Sequence, residues 1–128
     1  MNDQHKFFAI ELKSENRVVG HIEFYPWFGD HTYEIGWALH AEQQGKGYAF
    51  EAARALLTHG FESLNLQRVI ATCQPDNHAS VQLAERLQMR REGHFKQCLP
   101  RDNDNWWDEY FYAMLQEDFE KLANVQSA

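Results

Sequence analysis

A glycine-rich stretch, Gln44–Ala49, constrains the fold of this chain more than any other feature, because it separates a strand pattern from a helix pattern. Before it, residues 33–39 alternate between two faces, as a strand does. After it, apolar and small residues recur at the spacing of one helical face: Ala49, Ala52, Ala53, Leu56, Leu57, Gly60, Phe61 and Leu64. Such a turn gathers unpaired backbone N–H groups at the positive end of a helix dipole. The stretch therefore predicts an anion site, most often for phosphate.

Two nucleotide-binding motifs fail on the residues around these glycines. A P-loop needs a Ser or Thr for magnesium, whereas Gly47 is followed by Tyr48. The dinucleotide fingerprint needs a third glycine, where this chain has Phe50. One alternative stays open, in which the glycines only end a strand and cap a helix.

The composition favours one domain, residues 1–128, with enough chain for a real core. No apolar run approaches the roughly 20 residues that span a bilayer, and the first residues lack a signal-peptide layout, so we expect a cytoplasmic protein. A net charge of −7 argues against nucleic-acid binding and suits a cationic acceptor such as an amine. The spacing of the two cysteines, Cys73 and Cys98, is not that of metal ligands, and the same holds for the seven histidines. No metal is therefore expected.

The chain order predicts a mixed sheet. Strands are expected at 7–12, 17–24, 33–39, 68–73, 89–96 and 107–115, with a first helix after the glycines, a second after Asn77 and a short helix at 117–123. The first two strands are predicted to form a hairpin. Gly20 suggests a bulge or a close neighbour, and Pro26–His31 is predicted to be a loop. Strand 68–73 is reached by a crossover, so it should run parallel to strand 33–39.

Three separated motifs resemble one enzyme family. Gln44-x-x-Gly47-x-Ala49 resembles the pyrophosphate loop of the GNAT N-acetyltransferases, which bind acetyl-coenzyme A. The segment Asn77-His-Ala-Ser80, with residues 83–87 and 91–93, resembles the ribosomal-protein alanine N-acetyltransferase branch, in which Asn-x-x-Ser faces the cofactor. Residues 107–112 are similar to the closing strand of that branch.

The resemblance implies an α/β (α+β) fold. Its sheet would be mixed and mostly antiparallel, with a central parallel pair that splays apart, and helices would flank it. The sequence departs from the family at its front, since the hairpin begins almost at Met1. The strand and helices that usually precede the hairpin are expected to be missing, either because this is a short variant or a truncated form, or because a partner subunit fills the gap.

The resemblance also implies which residues hold the cofactor. The pantetheine arm would pair with backbone near Trp37–Leu39, where one N–H would polarise the thioester carbonyl, and Asn77 would fix the arm even if it also caps its helix. The pyrophosphate would rest on backbone N–H groups of the glycine loop, where a Cβ would block close approach. The full cofactor set is Trp37, Ala38, Leu39, Gln44, Gly45, Lys46, Gly47, Tyr48, Ala49, Asn77 and Ser80.

Two side chains are candidates for proton transfer. Ser80 is the candidate donor to the coenzyme A sulfur, or else an exposed residue in the first turn of its helix. Glu34, flanked by Tyr33 and Trp37, is the candidate base, its pKa raised by desolvation, or else an ordinary surface glutamate.

Other groups compete for both roles. Asp108 and Glu109 compete with Glu34 as the base, and Tyr110 or Tyr112 could replace Ser80 as the acid.

Two functions follow from these expectations. The first is acetyl-coenzyme A-dependent transfer of an acetyl group to a primary amine, by direct transfer in a ternary complex. Its acceptor is a protein N-terminus, a polyamine or another small amine. The second is a coenzyme A-binding regulatory or assembly module without turnover. The branch resemblance and the aromatic surplus also suggest a homodimer.

Overall fold

The computed structural model describes residues 6–39 and 47–127. Its elements, in chain order, are β1 (Lys6–Leu12), β2 (Arg17–Phe28), β3 (Thr32–Leu39), α1 (Tyr48–Glu62), β4 (Arg68–Cys73), α2 (His78–Arg86), β5 (Arg90–Pro100), β6 (Trp106–Leu115) and α3 (Gln116–Ser127). Three predicted cofactor residues, Gln44, Gly45 and Lys46, lie outside the described residues.

The described strands form one six-stranded sheet in the order β1-β2-β3-β4-β6-β5. Pairing is antiparallel except between β3 and β4, which run parallel because α1 carries the chain from one to the other. The predicted mixed, mostly antiparallel sheet with a parallel central pair is therefore confirmed.

The parallel pair is short, and the site is built on this feature. Strands β3 and β4 are in register from Thr32–Arg68 to Glu34–Ile70. Beyond that point β3 stays paired with β2 as far as Leu39, and β4 stays paired with β6 as far as Cys73. The facing edges of residues 35–39 and 71–73 therefore part in the middle of the sheet, as a splayed pair does.

The core lies on one face of the sheet, called here the helix face. Buried side chains from β4 on this face are Val69, Ala71 and Cys73, and they share one apolar cluster with residues of α1, α2 and α3. The alternate residues, Ile70 and Thr72, point the other way. Glu34 also points to this opposite side, called here the far face, since its carboxylate contacts Thr72.

Strand β2 is longer than predicted, so the expected loop Pro26–His31 is wrong in its first half. The strand continues through Pro26 and Trp27 to Phe28, and the turn is confined to residues 29–31. The pairing with β3 is irregular between Pro26 and Phe28. Proline is tolerated at such an irregularity, because the ladder does not need its missing N–H there.

Three further boundaries differ from the prediction. Helix α1 ends at Glu62, and Leu64 beyond it is exposed. The helix stops here because the N–H groups of Ser63 and Leu64 both donate to the carbonyl of His59. Asn65 then takes a left-handed φ of 55°. Strand β5 continues past Lys96 to Pro100 through a register shift, and α3 runs to Ser127.

The predicted irregularity at Gly20 is confirmed by a register shift opposite it, between Ile10 and Glu11.

No helix among residues 6–39 and 47–127 is long and apolar enough to cross a membrane.

Close packing of Gly60 generates a prediction about stability. A Cβ at this position of α1 would lie 2.9 Å from Phe24 Cζ and 3.0 Å from Leu66 Cδ1, and both side chains are buried. Gly60→Ala should therefore lower the free energy of unfolding by about 1–2 kcal/mol, because overpacking outweighs the better helix propensity of alanine. Urea unfolding measures this.

Gly36→Ala is the matched control, since a Cβ there meets nothing within 4 Å. A Gly60→Ala protein more stable than the wild type would contradict the packing described for α1.

Candidate functional site

A cleft of about 500 Å³ lies where the end of β3, the start of α1 and the exposed side of α2 meet. The described residues that line it are Trp37, Ala38, Gly47, Ala49, Phe50, Asn77, Ala79, Ser80, Gln82, Leu83 and Arg86. Six of the predicted site residues are among them, from three elements that are distant in sequence. Strand β3, helix α1 and helix α2 are brought together here by the parting of β3 from β4.

The first turn of α1 offers unpaired donors to this cleft. Gly47 is the N-cap residue with φ 83°, a left-handed conformation that glycine adopts without strain, and no side chain caps the helix at this residue. The backbone N–H of Glu51 makes the first helical bond, to the carbonyl of Gly47. The preceding N–H groups, from Tyr48 to Phe50, have no partner within the helix and lie at the positive end of its dipole.

The start of α2 is closed by its own side chain. Asn77 Oδ1 accepts the backbone N–H of Ser80 at 3.2 Å, which confirms the predicted N-cap. The amide nitrogen of Asn77 remains as a donor, and Asn77 also lines the cleft. The two helices therefore present different ends to one cavity, an open one at α1 and a capped one at α2.

A hydrogen bond joins β3 to α2 across the cleft. Trp37 Nε1 donates to Ser80 Oγ at 3.1 Å, and both side chains are partly buried. The indole N–H can only donate, so the serine oxygen is the acceptor. The hydroxyl proton of Ser80 is not used in this bond and is available to a third group in the cleft.

Glu34 lies on the far face of the sheet, at the last paired position before β3 and β4 part. Thr72 Oγ1 donates to Glu34 Oε2 at 3.5 Å across the gap, and Tyr25, its cross-strand partner on β2, also hydrogen-bonds the carboxylate. Burial raises the pKa of Glu34 above its ordinary value, while the bonds from Tyr25 and Thr72 partly offset this effect. Burial and the adjacent Glu34 charge raise the pKa of Tyr25 to about 12.

The neighbours of Glu34 differ from those expected. Tyr33 and Trp37 are the flanking residues that the sequence analysis predicts, but alternation along the strand places both on the helix face. Tyr33 packs on Phe24, with ring centroids 4.9 Å apart, and Trp37 bonds Ser80. The desolvation predicted for Glu34 is present, but residues of β2 and β4 surround it instead.

The competing carboxylates, Asp108 and Glu109, form hydrogen bonds with residues other than Tyr25 and Thr72. Asp108 accepts the N–H of Gln97 at 2.8 Å and contacts His94 Nε2 at 2.7 Å, and these two contacts lower its pKa. Glu109 is buried and accepts a hydrogen bond from Gln74 at 2.9 Å. Burial therefore raises the pKa of Glu34, whereas hydrogen bonds lower that of Asp108.

The alternative acids are also engaged. Tyr112 is 1% exposed, and its hydroxyl donates to Glu85 Oε2 at 3.1 Å. Tyr110 packs under the guanidinium of Arg91, which lies 3.9 Å from the ring centroid. Neither tyrosine is among the described residues that line the cleft, whereas Ser80 is.

The remaining predicted residues divide as follows. Tyr48 packs against the core at the start of α1, and Leu39 ends β3 opposite Gly20. The cleft residues that sequence analysis missed are Phe50, Ala79, Gln82, Leu83 and Arg86. Residues 79, 82, 83 and 86 share one helical face, and that spacing from the Asn77 cap is the signal that could have found Arg86. Among the described residues no cluster of His, Cys, Asp and Glu is placed to hold a metal ion.

Comparison with known proteins identifies relatives. Residues 1–90 match a family model described as an acetyltransferase (GNAT) domain. The chain is 51% identical over 117 residues to the uncharacterized N-acetyltransferase YnaD of Bacillus subtilis, covering 91% of this chain and 68% of that protein.

A second relative is the [ribosomal protein uS5]-alanine N-acetyltransferase of Escherichia coli, 27% identical over 126 residues, covering 93% of this chain and 64% of that protein. A crystal structure of an acetyltransferase (GNAT family) from Bacillus anthracis is 54% identical and superposes with a TM-score of 0.83, covering 88% of this chain and 67% of that one. This chain therefore spans about two thirds of the length of its relatives.

The burial of Glu34 generates a prediction about stability and pH. A carboxyl group whose pKa is raised by folding destabilises the native state when it is ionised, and this cost disappears as pH falls below its ordinary pKa. Glu34→Gln should therefore be more stable than the wild type at neutral pH, and the two should converge in acid. Thermal unfolding at several pH values measures the difference.

Glu15→Gln, in the exposed turn between β1 and β2, is the control and should track the wild type. A Glu34→Gln protein that is less stable by the same amount at every pH would show that the carboxylate is a purely structural hydrogen-bond acceptor.

Proposed function

This chain belongs to the GNAT acetyltransferase family, and we propose on that basis that it is an acetyl-coenzyme A-dependent N-acetyltransferase that acts on a primary amine. The single observation that carries the proposal is the gap between β3 and β4, with the uncapped start of α1 beside it. Strand edges supply backbone groups for an extended arm, and helix N–H groups supply an anion site.

The residues present fit acetyl-coenzyme A. An open helix end suits a diphosphate, and the free edge of Trp37–Leu39 suits the amide groups of pantetheine. The cleft beside them is of the size that small-molecule sites have. Gly47, Tyr48 and Ala49 would hold the diphosphate through their backbone N–H groups, and Asn77 would hold the arm. When bound, the cofactor supplies the acetyl group as a thioester.

Glu34 is the proposed base. An amine is nucleophilic only when neutral, so a proton must be removed from an ammonium acceptor. Glu34 lies at the apex of the gap on the far face, away from the cleft on the helix face. An amine that approaches from the far face meets this carboxylate first. The raised pKa of Glu34 makes it a better proton acceptor than an exposed glutamate.

Ser80 is the proposed acid. Its oxygen accepts the Trp37 N–H and its backbone N–H is bound by Asn77, so two contacts fix its position. Its hydroxyl proton is left to donate to the departing sulfur, and the serine oxygen regains a proton from the nitrogen that has attacked the thioester. An accepted hydrogen bond also polarises the hydroxyl and makes it a better donor. Direct transfer then needs both substrates in the site together, with no acyl group on the protein.

The acceptor is proposed as a class. The protein is acidic, and Tyr25, Glu34 and Glu23 carry negative or hydrogen-bonding groups at neighbouring positions of the far face. The Escherichia coli relative is named for action on an alanine of a ribosomal protein. A protein N-terminus, a polyamine or another small amine all meet these requirements.

The experiment that tests this function is release of free thiol from acetyl-coenzyme A in the presence of each acceptor type. Thiol release that depends on one of the amines is expected. Tight cofactor binding without thiol release for any amine would contradict catalysis and support the non-catalytic coenzyme A-binding module.

Substitution at Gly47 tests the diphosphate site. Gly47→Glu should raise the Kd for acetyl-coenzyme A by about a hundredfold, because a carboxylate would face the diphosphate at the helix end. Calorimetry measures the affinity. Gly29→Glu is the control, since Gly29 also has a positive φ, of 66°, and lies in the turn at the other end of β3. Unchanged affinity of Gly47→Glu would remove this loop from the site.

Substitution at Glu34 tests the base. Glu34→Gln should lower kcat by about a hundredfold, the size of a general-base contribution, with an unchanged Kd for the cofactor. The wild-type rate should rise with pH through the raised pKa of Glu34, and the variant should lose this dependence. Glu15→Gln should match the wild type. Equal turnover of Glu34→Gln and the wild type would refute the assignment.

Domain organisation, assembly and location stay predictions. We infer a single domain that forms a homodimer in the cytoplasm. Light scattering on the purified chain measures the assembly, and a monomeric mass at working concentration would contradict it.

A further inference from the structure

Arg86, the last residue of α2, reaches across the cleft to the start of α1. Its guanidinium Nη1 lies 3.9 Å from the position that a Cβ on Gly47 would occupy. The same guanidinium packs on the ring of Phe50, 4.1 Å from its centroid, in the first turn of α1. A side chain from one helix is therefore held beside the uncapped end of the other.

Two of the described arginines of this acidic protein, Arg54 and Arg86, pack on the Phe50 ring and make no ion pair with a described carboxylate. Five described arginines contact carboxylates: Arg17 with Glu15, Arg68 with Glu92, Arg90 with Glu92 and Asp118, Arg91 with Glu85, and Arg101 with Asp102. Within residues 6–39 and 47–127, Arg86 has an aromatic partner and no ion pair. It is also the one charged residue among the described residues that line the cleft.

The charge of Arg86 is exposed, lies at the C-terminal end of α2, where a cation is favoured, and adds positive potential at the start of α1. The N-terminus of a helix carries about half a positive charge, and a guanidinium beside it adds to the positive potential. A bound anion would be attracted both by the positive end of the helix dipole and by the guanidinium charge. Packing on Phe50 limits the conformations of the side chain, so little freedom is lost when an anion binds.

We propose that Arg86 is a side-chain ligand of the coenzyme A diphosphate, closing the site from the side opposite the backbone N–H groups of α1. This inference rests on the proposed use of acetyl-coenzyme A and adds a phosphate contact from α2 to that site. Its proximity to Gly47 assigns the diphosphate as the partner and not the 3′-phosphate of the adenosine. A guanidinium group can bind phosphate oxygens through two parallel N–H donors, and it adds a full positive charge that backbone N–H groups do not carry.

The test compares three ligands by calorimetry: coenzyme A, dephospho-coenzyme A, which lacks the 3′-phosphate, and pantetheine, which lacks all phosphates. Arg86→Gln should weaken the first two by the same factor, about tenfold, as expected for a charge-assisted hydrogen bond. Pantetheine binding should not change. Arg86→Lys should recover part of the loss, because it keeps the charge and loses the paired geometry.

Arg54→Gln is the matched control. Arg54 lies on the exposed side of α1 with its guanidinium 5.7 Å from the same Phe50 ring, but it is not among the described residues of the cleft. The Arg54→Gln substitution removes the same charge from the same region. The affinity of this variant for coenzyme A should stay within about twofold of the wild type, because salt screens the effect of an exposed charge outside the site. Thermal unfolding without ligand checks that both variants fold.

The outcomes separate this inference from the proposed function. Equal affinity of Arg86→Gln and the wild type for coenzyme A would overturn the role of Arg86 and leave cofactor binding intact. A loss with coenzyme A but not with dephospho-coenzyme A would overturn the diphosphate assignment. A wild-type protein that binds none of the phosphate-bearing ligands would overturn the proposed function itself.

Discussion

The early end of pairing between β3 and β4 is the constraint on which the rest of the structure depends. In a continuous sheet, two parallel strands would satisfy each other's backbone hydrogen bonds along their whole length. Here the edges of β3 and β4 part beyond Glu34 and Ile70, while β3 stays paired with β2 and β4 with β6. Those outer ladders keep the free edges rigid. The gap places a carboxylate on the far face and a serine on the helix face at either side of one opening.

Helices α1 and α2 differ in how their N-termini are capped. Helix α2 satisfies its first turn internally through Asn77, so its start is rigid and holds Ser80 in place. Helix α1 begins at a glycine and leaves its first turn open. Each start suits the role proposed for it, because a positioning element gains from a closed cap while an anion site requires open donors.

The sequence was sufficient for most elements, because their signals are local. The apolar spacing of α1 and the Asn77 cap of α2 are readable from short windows, and so is the crossover that makes β4 parallel to β3. Pro26 shows the limit, since a proline signals a break unless an irregular pairing accommodates it, and that irregularity depends on the facing strand. Arg86 and the surroundings of Glu34 were missed because they depend on distances between elements far apart in the chain.

Strand β3 carries groups on both faces of the sheet, and each face holds them with different elements. Trp37 is tied to Ser80 of α2 on the helix face, whereas Glu34 is held by Thr72 of β4 and Tyr25 of β2 on the far face. The two groups therefore have no supporting residue in common. A substitution at Thr72 or Tyr25 changes the surroundings of Glu34 and leaves the contact between Trp37 and Ser80 in place.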